Sequence, residues 1–264
     1  MTMIGIQKEY IMEAKQVLNI ALSAGQMLLS NGAEAYRVEE TIERICSSYG
    51  LECECLSTAK GVFVSIVDNN DEKLTSLKKI KGRRVDLYRI ELINSFSRSL
   101  QDNPVSYDVA KKTLKDIELA PYFTFPLRLL AASMTSFIYS LFFNGSIYDS
   151  LVSALISFGI YYMLEKVSKV GFFQFFEFFF AGFIIGIISL TFQWLLPFIN
   201  KDNVITGAIM ILIPGVALTN GVKDIIYGDF ASGMAKFGES MLIITAVGAG
   251  IGAALFLGMG VKLW

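Results

Sequence analysis

The sequence predicts an α+β N-terminal domain over residues 1–120, followed by an all-α membrane domain of five transmembrane helices over residues 121–264. Three observations carry that expectation. Of 23 basic and 24 acidic residues, only seven of each sign fall in residues 121–264. That same region reads as five apolar stretches separated by short polar turns, and ~20 mostly apolar residues suffice to cross ~30 Å of hydrocarbon. Ahead of it, helical spacing and strand alternation succeed one another over ~120 residues, enough for a separate core.

Residues 8–30 carry apolar side chains at helical spacing, among them Ile11, Ala14, Val17, Leu18, Ala21, Leu22, Leu28 and Leu29. Asn31 and Gly32 end that helix, because both tolerate a left-handed backbone. A second helix is expected from about Ala33 to Tyr49, stopped by Gly50. Val38, Ile42 and Ile45 form its apolar side; Glu34, Arg37, Glu39, Glu40, Glu43 and Arg44 form the other. Residues 51–56 and 61–67 alternate as strands do, Asp68-Asn69-Asn70-Asp71 has turn composition, and residues 73–77 suit a third strand. Helical spacing returns over residues 85–100 through Leu87, Ile90, Leu92, Ile93 and Phe96. Asn103-Pro104 breaks that helix, and Ser106 is placed to cap another running to Leu119.

The spans read as 121–143, 147–164, 175–196, 204–219 and 237–261. With the N-terminal domain in the cytoplasm, the inside segments carry Lys111, Lys112, Lys115, Lys166, Lys169, Lys223 and Lys236, against Lys201 and Lys262 outside. This is the positive-inside bias of a multi-pass protein of the inner (plasma) membrane. An odd number of spans then puts Trp264 outside.

Composition removes several functions. Histidine is absent, which excludes any Ser-His-Asp or Cys-His mechanism within this chain and any histidine-ligated metal. Cys46, Cys53 and Cys55 lack the paired spacing of a zinc site and read as free thiols. No metal or cofactor is expected, and no enzymatic activity. A net charge of −1 gives no electrostatic case for a nucleic-acid partner. Lys8, Glu9 and Glu13 do not form the charged and apolar regions of a cleaved signal peptide.

Polar and helix-breaking residues near the spans are the candidates for chemistry, since a charge at a span centre costs ~2.5–3.5 kcal/mol. Pro214 and Gly215 interrupt the fourth span. The break is either a structural kink or a place where freed backbone groups bind substrate. Beyond it, Thr219, Asn220, Lys223 and Asp224 are followed by Asp229, Ser232 and Glu239. Asn220 and Asp224, four apart, share a face if the helix continues. A carboxylate beside an amide suits an ammonium group or a proton, and Lys223 a substrate carboxylate; a solvated loop is the alternative. Glu239 and Glu177 sit where a helix N-terminus favours an acid, and Arg128 is expected to snorkel to the interface. The phenylalanines from Phe172 to Phe183 read as lipid-facing or packing groups. Arg83, Arg84, Arg89 and Arg98 form a basic group, expected to pair at the surface with the acidic second helix or to dock on the membrane domain.

Three motifs, in order along nearly the whole chain, resemble the signatures of the bacterial threonine/serine exporter family. They are Gly32-Ala33-Glu34-Ala35-Tyr36-Arg37-Val38-Glu39-Glu40-Thr41, the segment from Asp86 to Arg98, and Leu212-Ile213-Pro214-Gly215 continued by Thr219 to Asp224 and Gly228 to Gly233. The resemblance implies proton-driven efflux of a small polar metabolite, threonine or serine, with a C4-dicarboxylate such as succinate as the alternative. One soluble domain with one set of five spans is similar to the larger subunit of the family's two-component form. A small five-span partner, or a second copy of this chain, would then supply the other half. Pro214, Gly215, Thr219, Asn220, Asp224, Ser232 and Glu239 are the candidates for substrate and proton, with Asp224 as coupling carboxylate. Arg37, Glu39, Glu40, Asn94 and Arg98 are candidates for coupling or docking. The rival readings are a membrane-anchored hydrolase or a ligand sensor acting through residues 1–120.

Overall fold

The computed structural model describes residues 12–67, 71–80, 82, 84–167 and 174–260. Lys8, Glu9, Ile11, the turn residues 68–70, Arg83, Lys169, Phe172, Lys262 and Trp264 lie outside them. The chain divides into two compact units. One holds the residues through Pro121 together with Val216–Phe237; the other holds Tyr122–Gly215 and the residues from Gly238 onward. Residues 216–237 thus pack with the N-terminal part, whereas a division at residue 120 would have placed them in the membrane domain.

In the first unit, α1 (Ala14–Ser30) and α2 (Ala35–Ser48) precede β1 (Cys53–Thr58), β2 (Gly61–Val67) and β3 (Lys73–Lys79). The strands form an antiparallel sheet in the order β1-β2-β3, with Ile66 opposite Cys53 and Leu74. α3 (Leu87–Asp102) and α4 (Tyr107–Glu118) follow. The alternation of β2 sends Val62, Val64 and Ile66 into the core, where they join Val17, Leu22 and Leu28 of α1, Ile42 and Ile45 of α2, and Ile93 of α3. Ser106 occupies the N-cap of α4, but its side chain makes no capping hydrogen bond. The basic group is split: Arg84 and Arg98 are exposed, but Arg89 is not a surface residue. Arg89 is 1% exposed, pairs with Asp86 at 2.5 Å and donates to the carbonyls of Glu118 and Ala120, so it holds the end of α4. Arg84 donates to Asn31 Oδ1 at 2.9 Å. The three cysteines are free, with Cys46 buried.

The second unit contains α5 (Phe125–Phe142), α6 (Ile147–Val167), α7 (Gln174–Leu195) and α8 (Lys201–Ile209). α9 (Gly215–Ile226) and α10 (Phe230–Gly260) complete the chain. Four helices among the described residues are long and apolar enough to cross a membrane: α5, α6, α7 and α10. The expected span 204–219 is instead two short helices, α8 and α9, because Pro214 supplies no backbone donor and the turn at 210–213 ends α8. The last span begins at Phe230, seven residues before residue 237, because the Asp229 carboxylate caps α10 by accepting from Ser232 N at 3.1 Å.

α8 packs against α5, α6 and α7. Hydrogen bonds join these helices, α5 to α6 as well as both to α8 and its N-cap. The Ser136 and Ser157 hydroxyls share a hydrogen bond, Ser140 Oγ donates to Asn203 O, and the buried Asp149 accepts from Asn200 N at 2.8 Å. Arg128 does not simply snorkel: it forms a two-pronged pair with Glu165 of α6, at 3.1 and 3.2 Å. Glycines bring α7 and α10 together. A Cβ on Gly182 would lie 2.5 Å from Val247 O, and one on Gly250 would overlap Phe179 O.

Candidate functional site

The polar cluster of the first unit is built on the turn between α1 and α2. α1 ends at Ser30, and Gly32 takes the left-handed conformation (φ +90°) that lets the chain reverse into α2. A helix start leaves N–H groups without intrahelical partners, and the Glu34 side chain, although at the N-cap, does not serve them. Asp224 of α9 does so instead, its Oδ1 accepting from Ala35 N at 3.0 Å. An anion there also meets the positive end of the helix dipole.

The other Asp224 oxygen accepts from Lys236 Nζ at 2.7 Å, and the same ammonium donates to Ala33 O at 3.2 Å. Asn220 Nδ2 donates to Gly32 O at 2.7 Å. Three side chains from the α9–α10 hairpin therefore satisfy three backbone groups of one turn. Asp224 is fully buried, and Asn220 and Lys236 are nearly so, at 8% and 7% exposed. A lone buried carboxylate would be strongly unfavourable; the Lys236 ammonium and the Ala35 N–H compensate it.

Glu34 is turned the other way, accepting from Lys223 Nζ at 3.1 Å and pairing with Arg37 at 3.6 Å. Burial pushes its carboxyl up, but a backbone N–H, the Lys223 hydrogen bond and the Arg37 charge together hold it below the usual carboxylate range. The Glu34 hydrogen bond in turn raises the Lys223 ammonium. Tyr36 stacks on Tyr227 with ring centroids 4.1 Å apart. The hairpin needs its glycines: a Cβ on Gly221 would lie 2.9 Å from Phe237 N, and one on Gly233 2.7 Å from Gly221 O.

The hairpin also leaves polar atoms unsatisfied. Asp229 Oδ2 and Ser232 Oγ are buried with no hydrogen-bond partner, as is Ser57 Oγ on β1. Buried polar atoms are nearly always paired, so these require an explanation. Ser57 N donates to Glu39 Oε1 at 2.7 Å. Burial first, then the charges of Asp229, Glu43 and Asp224, raise the Glu39 carboxyl.

The structure thus unites Asn220, Asp224 and Ser232 of the sequence candidates with Glu34, Arg37 and Lys223. Thr219 is exposed on α9. Pro214 and Gly215 mark the break before α9, and Glu239, exposed on α10, belongs to the second unit. Glu40 pairs with Arg44 on its own helix, Asn94 Oδ1 accepts from Thr41 Oγ1 at 3.3 Å, and Arg98 is exposed on α3. Lys236 was visible beforehand only as one of the inside lysines. Its role as partner to Asp224, twelve residues away, carries no local signature; the Gly228-Asp229 pair that turns the hairpin is the one cue.

Four long apolar helices, joined to a unit with its own core, define an integral membrane protein. The chain belongs to the ThrE family, described as "Putative threonine/serine exporter", whose model matches residues 19–258. It is similar to a protein named "Threonine/serine exporter" from Corynebacterium glutamicum, 24% identical over 249 residues that cover 91% of this chain and 51% of the relative. It is also similar to one named "Probable threonine/serine exporter" from Mycobacterium tuberculosis, 19% identical over 91% of this chain and 46% of the relative. The chain spans about half the length of these curated relatives. No solved structure matches it.

Proposed function

We propose that the chain is one half of a secondary exporter that moves threonine and serine out of the cell at the expense of a proton gradient. The other half would be a small five-span partner or a second copy of this chain. The observation that carries the site assignment is the buried Asp224–Lys236 pair locked onto the Ala33–Ala35 turn. Protonating Asp224 would remove the charge that neutralises Lys236. An amino acid has both groups needed to replace this pair: its ammonium for Asp224, its carboxylate for Lys223 or Lys236. The unsatisfied Asp229 Oδ2 and Ser232 Oγ are further polar atoms available to a substrate hydroxyl or ammonium.

Parity supports five crossings. The compact first unit contains residues on both sides of the α5–α7 segment, so its two parts share one side of the membrane. Three long apolar helices separate them, so on this reading residues 196–215 would make a fourth crossing to return the chain. That segment holds α8 and the Pro214 break, and α10 makes the fifth crossing. A broken helix surrounded by three others is the kind of element that forms binding sites in secondary transporters. The excess of lysines on the side of the N-terminal unit supports a cytoplasmic location for it. Five is an odd number, which suits a pairing of two oppositely oriented halves.

The test is uptake of labelled threonine into inverted membrane vesicles, with and without a proton gradient and the partner. Gradient-driven uptake is expected, together with its loss in Asp224→Asn. An Asp224→Asn/Lys236→Met double variant that accumulates normally yet does not transport separates loss of function from loss of fold. Normal transport by Asp224→Asn, or uptake of labelled succinate in place of threonine, would overturn the assignment.

A further inference from the structure

Along α1, a cavity of about 460 Å³ opens between α1, β3 and α4. Its volume falls within the range of small-molecule sites. Three lysines converge on it, Lys78 from β3 and Lys111 and Lys115 from α4, against a single acid, Glu118. Ile20 and Leu114 supply an apolar wall.

Lys78 distinguishes this cavity from a solvated basic face. Its ammonium is half-buried, donates to Ser23 Oγ at 2.7 Å and makes no ion pair among the described residues. Ser23 is fully committed, since its own proton goes to Asn19 O at 2.6 Å. Among the described residues Ser23 is the one hydrogen-bond partner of Lys78, which leaves two of its three protons for a ligand. Burial also pulls the Lys78 ammonium below its ordinary range, a shift that the charge of Glu118 offsets only in part. Lys111 is held over the Tyr107 ring, 5.6 Å from its centroid, which fixes a second positive charge at the rim.

We propose that this cavity is a binding site for a small organic dianion, a short carbon skeleton bearing either two carboxylates or a phosphate monoester. The three lysines match its charge and the Ile20–Leu114 wall its carbon. The site is separate from the transport cluster and does not depend on the exporter reading. α1 links the two regions physically, because it forms one wall of the cavity and runs directly into the turn held by Asn220, Lys236 and Asp224.

The test is calorimetric titration of the full chain in a non-ionic detergent at constant ionic strength. The probes are succinate, glycerol 3-phosphate, inorganic sulfate and threonine. Saturable binding of succinate or of glycerol 3-phosphate, whichever class is correct, is expected to be at least tenfold tighter than that of sulfate. Lys78→Met, and independently the exposed pair Lys111→Gln/Lys115→Gln, should weaken it at least tenfold, while Lys73→Gln on the same strand should not. The paired variant keeps the test decisive if Lys78→Met fails to fold. Binding of neither dianion, binding no tighter than sulfate, or binding unchanged by the lysine variants would overturn the proposal. Threonine transport is read separately, so either reading can fail without the other.

Discussion

The two units of this chain differ in the polar side chains they bury and the apolar ones they expose. In the first, the inside is apolar, with Val17, Leu22, Ile42, Val64 and Ile93 all inaccessible, and most charges face outward. In the second, Ser136, Ser140, Ser150, Ser153, Ser157 and Ser189 are wholly buried, while Leu130, Met134, Ile138, Leu155 and Phe158 are about half exposed. The difference identifies the solvent of each. In water, burying apolar surface is worth roughly 25 cal/mol per Å², so the large hydrophobes go inside. Lipid offers no such drive, and helices associate through close packing and hydrogen bonds between small polar residues. The Asp224–Lys236 pair is an exception in the first unit, which also buries Arg89 and Glu34, a charged pair where apolar packing is the rule.

That exception gives the largest expected effect. Asp224→Ala leaves Lys236 buried without its carboxylate and should cost about 3–5 kcal/mol. Thermal unfolding of the first unit measures this, and Asp224→Ala/Lys236→Met should recover most of the loss. A single variant as stable as the parent would mean that water reaches the pair.

Core truncation sharpens the contrast next. Leu22→Ala should cost about 2–5 kcal/mol in denaturant unfolding, through lost burial and the cavity left behind. Met134→Ala, on the outward face of α5, should change stability in detergent by no more than about 0.5 kcal/mol. Equal losses at the two positions would break the inside-out description.

The smallest effect is a pH dependence. The Glu39 carboxyl is raised by burial, then by the charges of Asp229, Glu43 and Asp224, so the folded state holds its proton more tightly than the unfolded chain. Glu39 therefore withdraws stability as pH rises from about 4.5 through its folded value. Glu39→Gln should be more stable than the parent at neutral pH, by less than about 1 kcal/mol, with the difference vanishing below about pH 4.5. Glu34 has the opposite sign. Its depressed carboxyl adds stability above about 4.5 that is lost as the pH falls through its folded value.

Much of the fold is legible in sequence where the signal is local. β2 spans the residues whose alternation marks it, 61–67, and α6 and α7 start at or within one residue of their expected positions. Long apolar runs leave few choices. Hydropathy marks 204–219 as one apolar stretch because it does not register a missing backbone donor, whereas Pro214 marks the break that separates α8 from α9. The cluster was half legible. Asn220 and Asp224 stand out as polar residues sharing a helix face, but their partners are the backbone groups of Gly32 and Ala35, nearly 190 positions earlier. No periodicity encodes a contact with a backbone atom. Arg89 misleads for a related reason: an arginine in a basic group looks solvated unless the carbonyls that receive it are known.

The reciprocal glycines of α7 and α10 constrain how this molecule can move. Gly182 receives the Val247 backbone and Gly250 receives that of Phe179, so each helix fits a notch in the other. Sliding by one turn, about 5.4 Å, would drive phenylalanine or valine side chains into spaces that do not admit a methyl group. The two helices must travel as one piece, and any alternation of access has to be sought between that piece and the rest of the membrane unit.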